Sequence, residues 1–493
     1  MRLIRTGTHG IIECPDESRL LVFQALDAPF SYAVAGAEFS DAYQRKIWDG
    51  RKRLVERWRD GRIAFPVGLF DEARRRLTEA GVEHEAEDRR LNRPRSPVEP
   101  PAGWSGPSLY PHQVEAVERA TGSPGGVLNE PVRSGKTLMA ARVIFELGQR
   151  ALFVAPSDFL VAQARDVLKA SLGGLRVSVV GLGEDDQSGD VVVASIATLC
   201  ARRRSRWWEK FRRLFGVAFF DELHHLLGIG EEWRDTALEV DAGRRYGLTG
   251  TLDAEEPQIR LWAHALCGPT VHKTSMKYLT DSGYLTPLLI RFVRHDAPSA
   301  ASREWTRTTY ADEIVKCETR NARLCAEALR YSREGLPVLM DVAQIGHARR
   351  LALILRGALK PGEVQVLTGD STLAERRVVL DGLKAGRVKV VVSTFLGEGI
   401  DIPELAVVVN CEGGKASAST IQRLRNLTPH PGKARAILVE AIDDHHPALS
   451  AWTLERVQLY QAERCFTIEV EPKGASTPSR SRPKVGRVGR AKS

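Results

Sequence analysis

After residue 108 the chain alternates between two kinds of apolar pattern. Short unbroken runs rich in Val, Ile, Leu and Phe read as buried strands, and longer stretches with apolar residues three or four apart read as amphipathic helices. The runs GGVLN, ALFVA, RVSVV, DVVVAS and GVAFFDE alternate with the helical patterns KTLMAARVIFEL and FLVAQARDVLKA. Near Gly335 the alternation restarts, with LPVLMDV, EVQVLT, VKVVVST, AVVVNC and ARAILVEA as strands and HARRLALILRGAL and LAERRVVLDGLKAG as helices. Continuous apolar strands with helices between them predict parallel sheets covered on both faces. The expected fold class is therefore α/β, with tandem parallel-sheet domains over 108–275 and 335–471 and an inter-domain segment at 276–334.

Two stretches break this pattern. The sequence RRLNRPRSPVEPPAGWSGPS, Arg89 to Ser108, combines proline, glycine and arginine and predicts an extended linker, placed at 91–107. It sets apart an N-terminal module, residues 1–90, expected to be a small α+β domain. From Pro472 the chain carries seven basic residues, no acidic one and little apolar content, which predicts a disordered basic tail over 472–493.

Composition narrows the class. The chain has 493 residues, 43% hydrophobic and 27% charged, enough for several water-facing domains with large cores. It has no run of about 18 apolar residues, so no membrane span is expected. The start, MRLIRTGTHG, lacks the apolar segment of a secretion signal. Seven scattered cysteines with no C-x-x-C pair predict neither zinc nor a disulfide framework and fit a reducing cytoplasm. Lys and Arg number 71 against 62 Asp and Glu, a net charge of +9 that suits a polyanionic partner mainly through its concentration in the tail.

The candidate chemistry starts at NEPVRSGKT. It ends in the G-K-T of a phosphate-binding loop, but Glu130 stands where the first glycine of G-x-x-x-x-G-K-[ST] belongs. In such a loop Lys136 reaches the β- and γ-phosphates and Thr137 holds Mg²⁺. Backbone N–H groups around Arg133, Ser134, Gly135 and Lys136 meet the phosphates where the helix begins. Downstream, AFFDELHH delivers Asp221 and Glu222 to the C-terminal end of a buried strand, where ligands bind in open α/β sheets. Asp221 suits Mg²⁺ through water, and Glu222 suits positioning or deprotonating an attacking water.

With these motifs the chain resembles a superfamily 2 helicase of the DExH type, from about residue 107 to about 445. That family has two RecA-like domains, ATP and Mg²⁺ as cofactors, and a nucleic-acid partner held mainly by its phosphates. In LYPHQVEAV the resemblance assigns Gln113 to adenine. The family loop, A-x-T-G-x-G-K-T, does not require the first glycine. Arg133 at its middle glycine is a departure, either turned to solvent or adding a phosphate contact. FVAPSDFLVAQ and ASIATL resemble motifs that touch the nucleic-acid backbone, with Pro156, Ser157 and Thr198. GLTGTLD and DELH resemble the elements that link hydrolysis to strand movement, with Thr249, Thr251 and His224. STFLGEGIDIP resembles a motif with Thr394 on nucleic acid and Gly399 and Asp401 on nucleotide. QRLRNLTPHPGK stands for the family's Q-R-x-G-R-x-x-R. It places Gln422 at the nucleotide and, with a one-residue gap, Arg425 as a catalytic arginine and Thr428 where the last arginine belongs; without the gap Asn426 takes the first arginine's place.

In the N-terminal module a W-D-G turn, Trp48 to Gly50, is followed by Arg51, Lys52 and Arg53 and then by FPVGL. Read on its own, Trp48 is a core residue and the basic run a solvated face. The pattern also resembles the N-terminal DNA-binding domain of UvsW-like phage helicases, as does YLTDSGYLTPLLIRF after the first domain. Those relatives remodel forks, junctions and R-loops. The resemblance implies a helicase acting as a monomer on branched or partly single-stranded DNA, in phage-type replication, recombination or repair in a host cytoplasm, with no membrane and no zinc. A duplex translocase, a restriction-type motor subunit and an ATP-gated DNA-binding protein with weak turnover stand as alternatives.

Overall fold

The unbroken apolar runs become buried strands, and the three-to-four patterns become the helices between them, in the computed structural model. It describes residues 1–90, 97–98, 103–131, 133–228, 230–250, 252, 256–300, 304–394, 405–414, 436–462 and 465–472. Thr251, Gly399, Asp401, Gln422, Arg425, most of the linker and the tail beyond residue 472 lie outside the described residues. The chain divides into two compact units, one built on Met1–Leu285 and the other beginning at Thr286.

The first unit holds an eight-stranded sheet. In spatial order its strands are Glu184–Asp185, Val177–Gly181, Val191–Ser195, Ala151–Ala155, Val217–Phe220, Arg244–Thr249, Gly125–Asn129 and Thr270–Lys273. Every pairing is parallel except that of the two-residue edge strand Glu184–Asp185. Parallel pairing brings the loops after these strands to one edge of the sheet. Successive side chains of a strand face opposite sides. Phe153 accordingly joins Met139, Ile144 and Phe219 under one layer of helices, whereas Leu152 and Val154 join Phe220, Trp208 and Leu266 under the other.

The N-terminal module is α+β. Its five-stranded sheet runs Glu56–Arg57, Ile63–Pro66, His9–Glu13, Arg2–Arg5, Glu85–Asp88, with helices Asp16–Asp27 and Phe70–Glu79 packed together. The linker's composition suggests a tethered module, but the module is docked. Leu3, Val22, Phe65 and Leu77 belong to the same continuous core as Phe220 and Leu266. Gly68 of the FPVGL run lies against the backbone of His264 and Gly268, where a Cβ would collide. Arg245, fully buried, donates to the Gly7 carbonyl at 3.2 Å and to the Ala237 carbonyl at 2.6 Å; its burial pulls the guanidinium pKa down to about 10.

The second unit holds a seven-stranded, wholly parallel sheet ordered Val364–Leu367, Val390–Ser393, Val338–Asp341, Val407–Asn410, Ala436–Ile442, Leu288–Arg294, Phe466–Val470. Leu288–Arg294 falls in the stretch expected to join the two domains, yet it is a strand of this sheet, so the second domain starts well before Gly335. Its run LLIRFVR is interrupted by Arg291 and pairs with strands far along the chain, so local pattern gives no reason to attach it there.

Candidate nucleotide site and nucleic-acid contacts

The phosphate loop is built at the C-terminal edge of the first unit's sheet. Strands Gly125–Asn129 and Arg244–Thr249 pair in register up to Asn129 and Thr249. The Glu130 N–H then donates to the Thr249 carbonyl at 2.7 Å. Gly135 takes a left-handed φ of 87° and hands the chain into the helix Lys136–Leu147. A Cβ there would run into the Gln113 amide. Arg133 also has a positive φ, 63°. This explains the family's middle glycine sterically, because the left-handed region costs an L-residue about 1–2 kcal/mol.

Gln113 is buried against the loop rather than left open. Its Oε1 accepts from the Tyr110 N–H at 2.8 Å, closing a capping box, and its Nε2 donates to the Ser134 carbonyl at 2.7 Å. The His112 ring is 3.3 Å from the same carbonyl, and burial lowers its pKa. Lys136 Nζ lies folded across the loop, 3.3 Å from the Glu130 carbonyl and 3.4 Å from that of Pro131. Thr137 follows on the first turn of the same helix, half-buried. A lysine ammonium, a helix N-terminus and a glycine-turned loop lie together in this one turn, the set of donors that suits a phosphate group.

Asp221 and Glu222 follow directly on Val217–Phe220 and are both buried. Asp221 Oδ1 accepts from the Glu222 N–H at 3.0 Å, and its own N–H donates to the Val154 carbonyl at 2.8 Å, fixing the turn. Glu222 has a left-handed φ of 44°, at the turn between the strand and the helix Leu223–Gly228. His224 Nδ1 meets Thr249 Oγ1 at 3.1 Å, so two residues singled out from separate motifs touch at the ends of adjacent strands. His224 is also 3.7 Å from Glu222 Oε2.

The expected nucleic-acid contacts are scattered in chemistry. Pro156 and Ser157 sit at the end of Ala151–Ala155, and Ser157 caps the next helix through the Leu160 N–H. Thr198 lies half-buried in the helix Ile196–Arg202. Thr394, in the second unit, follows Val390–Ser393 and donates its N–H to the Leu367 carbonyl at 3.2 Å. In the W-D-G turn Trp48 is half-buried and its Nε1 donates to the Arg51 carbonyl at 2.7 Å; Gly50 turns the chain with φ of 77°. The basic run is largely paired within the protein. Arg51 donates to Ser31, Lys52 pairs with Glu231 of the first domain, and Arg53 is 2.6 Å from both Asp27 and Asp49.

Sequence reasoning missed His272. It sits on Thr270–Lys273, and its Nδ1 is 2.6 Å from Oε1 of Glu130, whose side chain is fully buried. The signal was present as a carboxylate directly after a buried strand, which needs a partner; the partner's position was not legible. Among the described residues, His295, Asp443 and His445 also place potential ligand atoms within 4.8 Å of one another. Asp443, however, already accepts two hydrogen bonds from Arg320. Burial opposes its ionisation, but Arg320 and His295 hold it far below the usual carboxylate range. A buried ion pair accounts for this group without a metal.

Among protein families, residues 107–254 match the model described as "Type III restriction enzyme, res subunit" and residues 324–425 match "Helicase conserved C-terminal domain", together about half of the chain. The chain is 27% identical to the DNA 3'-5' helicase XPB of Kineococcus radiotolerans over 64% of this chain and 55% of that protein. It is 21% identical to the ATP-dependent DNA helicase uvsW of Enterobacteria phage T4, over 88% of this chain and 89% of that one. The chain thus spans about half the length of the XPB relative and most of the phage one. In fold it is similar to S. cerevisiae Dbp5 bound to RNA and ADP BeF3, with a TM-score of 0.52 at 18% identity over 74% of this chain and 94% of that one. No helix among the described residues is long and apolar enough to cross a membrane.

Proposed function

The chain belongs to the superfamily 2 helicases, and from that premise we propose that it is an ATP-dependent DNA helicase that remodels branched DNA. The observation that carries the ATP-dependent part is the meeting of Lys136, Gly135, Asp221, Glu222 and the His224–Thr249 pair at one edge of one sheet. The reading as a DNA enzyme draws on relatives named as DNA helicases, and the branched-DNA part on the likeness to uvsW over most of both chains.

In this proposal the phosphate loop and Lys136 bind and orient the triphosphate. Thr137 and, through water, Asp221 would hold Mg²⁺, which would supply charge neutralisation at the phosphates. Glu222 positions the attacking water and accepts its proton. His224 and Thr249 sense that chemistry through their shared hydrogen bond, and with Thr251 link it to strand movement. Gln113 holds the loop from behind through Ser134 and reads the adenine beside it. Gly399, Asp401 and Gln422 contribute to the nucleotide, and Arg425 stabilises charge on the γ-phosphate in place of the family's arginine pair. Pro156, Ser157, Thr198 and Thr394 contact DNA phosphates, so binding is sequence-tolerant and salt-sensitive. The enzyme works as a monomer on DNA, in a cytoplasm, and moves 3'-5' like its XPB-type relatives.

A second reading, a duplex translocase or restriction-type motor subunit, is favoured by the description of the family matched by residues 107–254. Parallel assays on forks, four-way junctions, R-loops, RNA duplexes and a triplex roadblock separate the two. The lead reading predicts ATP-dependent strand displacement strongest on branched DNA. Triplex displacement without strand separation would establish the translocase instead.

A further inference from the structure

Glu130 occupies a place where a charge is costly. It directly follows the strand Gly125–Asn129, next to the sheet's edge strand, its side chain is fully buried, and its backbone carbonyl is one of the two that Lys136 touches. Oε1 meets His272 Nδ1 at 2.6 Å, while Oε2 is buried and accepts no hydrogen bond among the described residues. His272 is itself almost fully buried and is held by strand pairing, with His272 opposite Leu128 and Lys273 opposite Asn129. The pair therefore ties the base of the phosphate loop to the neighbouring strand.

We propose that Glu130 and His272 form a proton-dependent clasp that positions the phosphate loop, so that nucleotide affinity weakens when the imidazole loses its proton. The inference rests on the nucleotide-site reading given above. With the proton in place the pair is neutral overall, and the loop faces a triphosphate without added negative charge. Without it, a buried carboxylate keeps its charge beside the phosphates and loses its counter-ion.

The other groups facing the pair are few. Glu115, from the helix Pro111–Gly122, has Oε2 3.8 Å from His272 Nε2 and also favours the protonated ring. His112, on the same helix, senses both partners, and burial holds it on the neutral side. Lys273 follows His272 on its own strand, and Lys136 lies on the Glu130 carbonyl. The Glu130 hydrogen bond raises the His272 pKa, with burial working against it. A raised pKa means that the clasp is complete below the ordinary imidazole value, about 6.5, and is lost as pH rises through the higher folded-state value.

The test is the affinity of the full chain for a fluorescent N-methylanthraniloyl ATP with Mg²⁺, measured from about pH 6 to about pH 9. The expected result is a loss of roughly threefold to tenfold in the wild type, relative to Glu130→Gln and His272→Gln. The variants carry whatever pH dependence belongs to the nucleotide itself, so the difference between profiles is the readout. Glu130→Leu, which removes the carboxylate without leaving an unpaired polar group of its own, serves if either polar variant folds poorly. A wild-type profile parallel to those of the variants overturns the clasp. Absence of binding at every pH, or binding undiminished by Lys136→Ala, would instead remove the nucleotide-site reading, and the clasp with it.

Discussion

At the phosphate loop, Lys136, Gly135 and Ser134 stand where their motif places them. The surrounding structure is arranged to hold them: Gln113 and His112 on the Ser134 carbonyl, the strand end at Thr249 on Glu130. At the W-D-G turn the motif is just as plain, yet the three basic residues after it are engaged by Ser31, Glu231, Asp27 and Asp49. The difference lies in what each motif specifies. A phosphate loop specifies a backbone path through glycine φ angles and a helix start, and those constraints survive in any relative that keeps the path. A basic run specifies only charge, and exposed charge pairs with whatever acid is near for about 0–1 kcal/mol. The W-D-G turn resembles the loop in its backbone, through Gly50 and the Trp48 hydrogen bond, and departs from it in its side chains.

The contrast can be broken first at the loop. Lys136→Ala should lower ATP hydrolysis by at least about 100-fold, because the developing phosphate charge loses its fixed cation. Glu222→Gln should lose turnover to a similar degree while keeping nucleotide binding, as measured by fluorescence titration. Hydrolysis that survives both changes would make the loop no better a guide than the basic run.

Next in size is the His224–Thr249 contact. Thr249→Val removes the hydroxyl that His224 Nδ1 meets at 3.1 Å, the loss of a hydrogen bond worth about 0.5–1.5 kcal/mol. The expected outcome is strand displacement reduced by about tenfold or more with ATP hydrolysis reduced less. Equal losses in both assays would make the contact structural rather than coupling.

Arg133→Gly probes the loop's own departure. Removing a left-handed arginine should leave the protein between neutral and about 1 kcal/mol more stable, the strain relieved being partly offset by glycine's greater freedom when unfolded. Turnover should fall if the guanidinium adds a phosphate contact, one of the two readings of this departure. A variant both more stable and faster would make Arg133 a passive substitution.

The smallest effects belong to the basic run. Replacing Arg51, Lys52 and Arg53 together by alanine should change the log–log salt slope of DNA binding by less than about one unit, as each true phosphate contact is worth roughly 0.9. A change near three contacts' worth would mean that DNA displaces Glu231, Asp27 and Asp49, and that the resemblance identified a working surface.

Much of this architecture was legible in the pattern of apolar runs, because a strand buried on both faces leaves an unbroken signature. Leu288–Arg294 was not, since its run is short and polar-interrupted and its partners lie far along the chain. Docking of the N-terminal module was equally hidden. A single glycine, Gly68, carries the close approach to His264, and nothing in FPVGL marks its neighbour. At the site, Lys136, Asp221 and Glu222 were legible from chemistry and spacing, and His224 with Thr249 only from the family likeness. His272 was out of reach, because a buried ion pair joins residues that share no motif.

If the edge of the first sheet drives DNA remodelling by hydrolysing ATP, as proposed, strand displacement depends on both ATP and Glu222. The most direct measurement is displacement of a labelled strand from a forked DNA duplex by the full chain, run with ATP, without ATP, and with Glu222→Gln in place of the wild type. Displacement is expected from the wild type with ATP and from neither of the other two reactions. Displacement that proceeds without ATP, or that Glu222→Gln carries out as fast as the wild type, would contradict it.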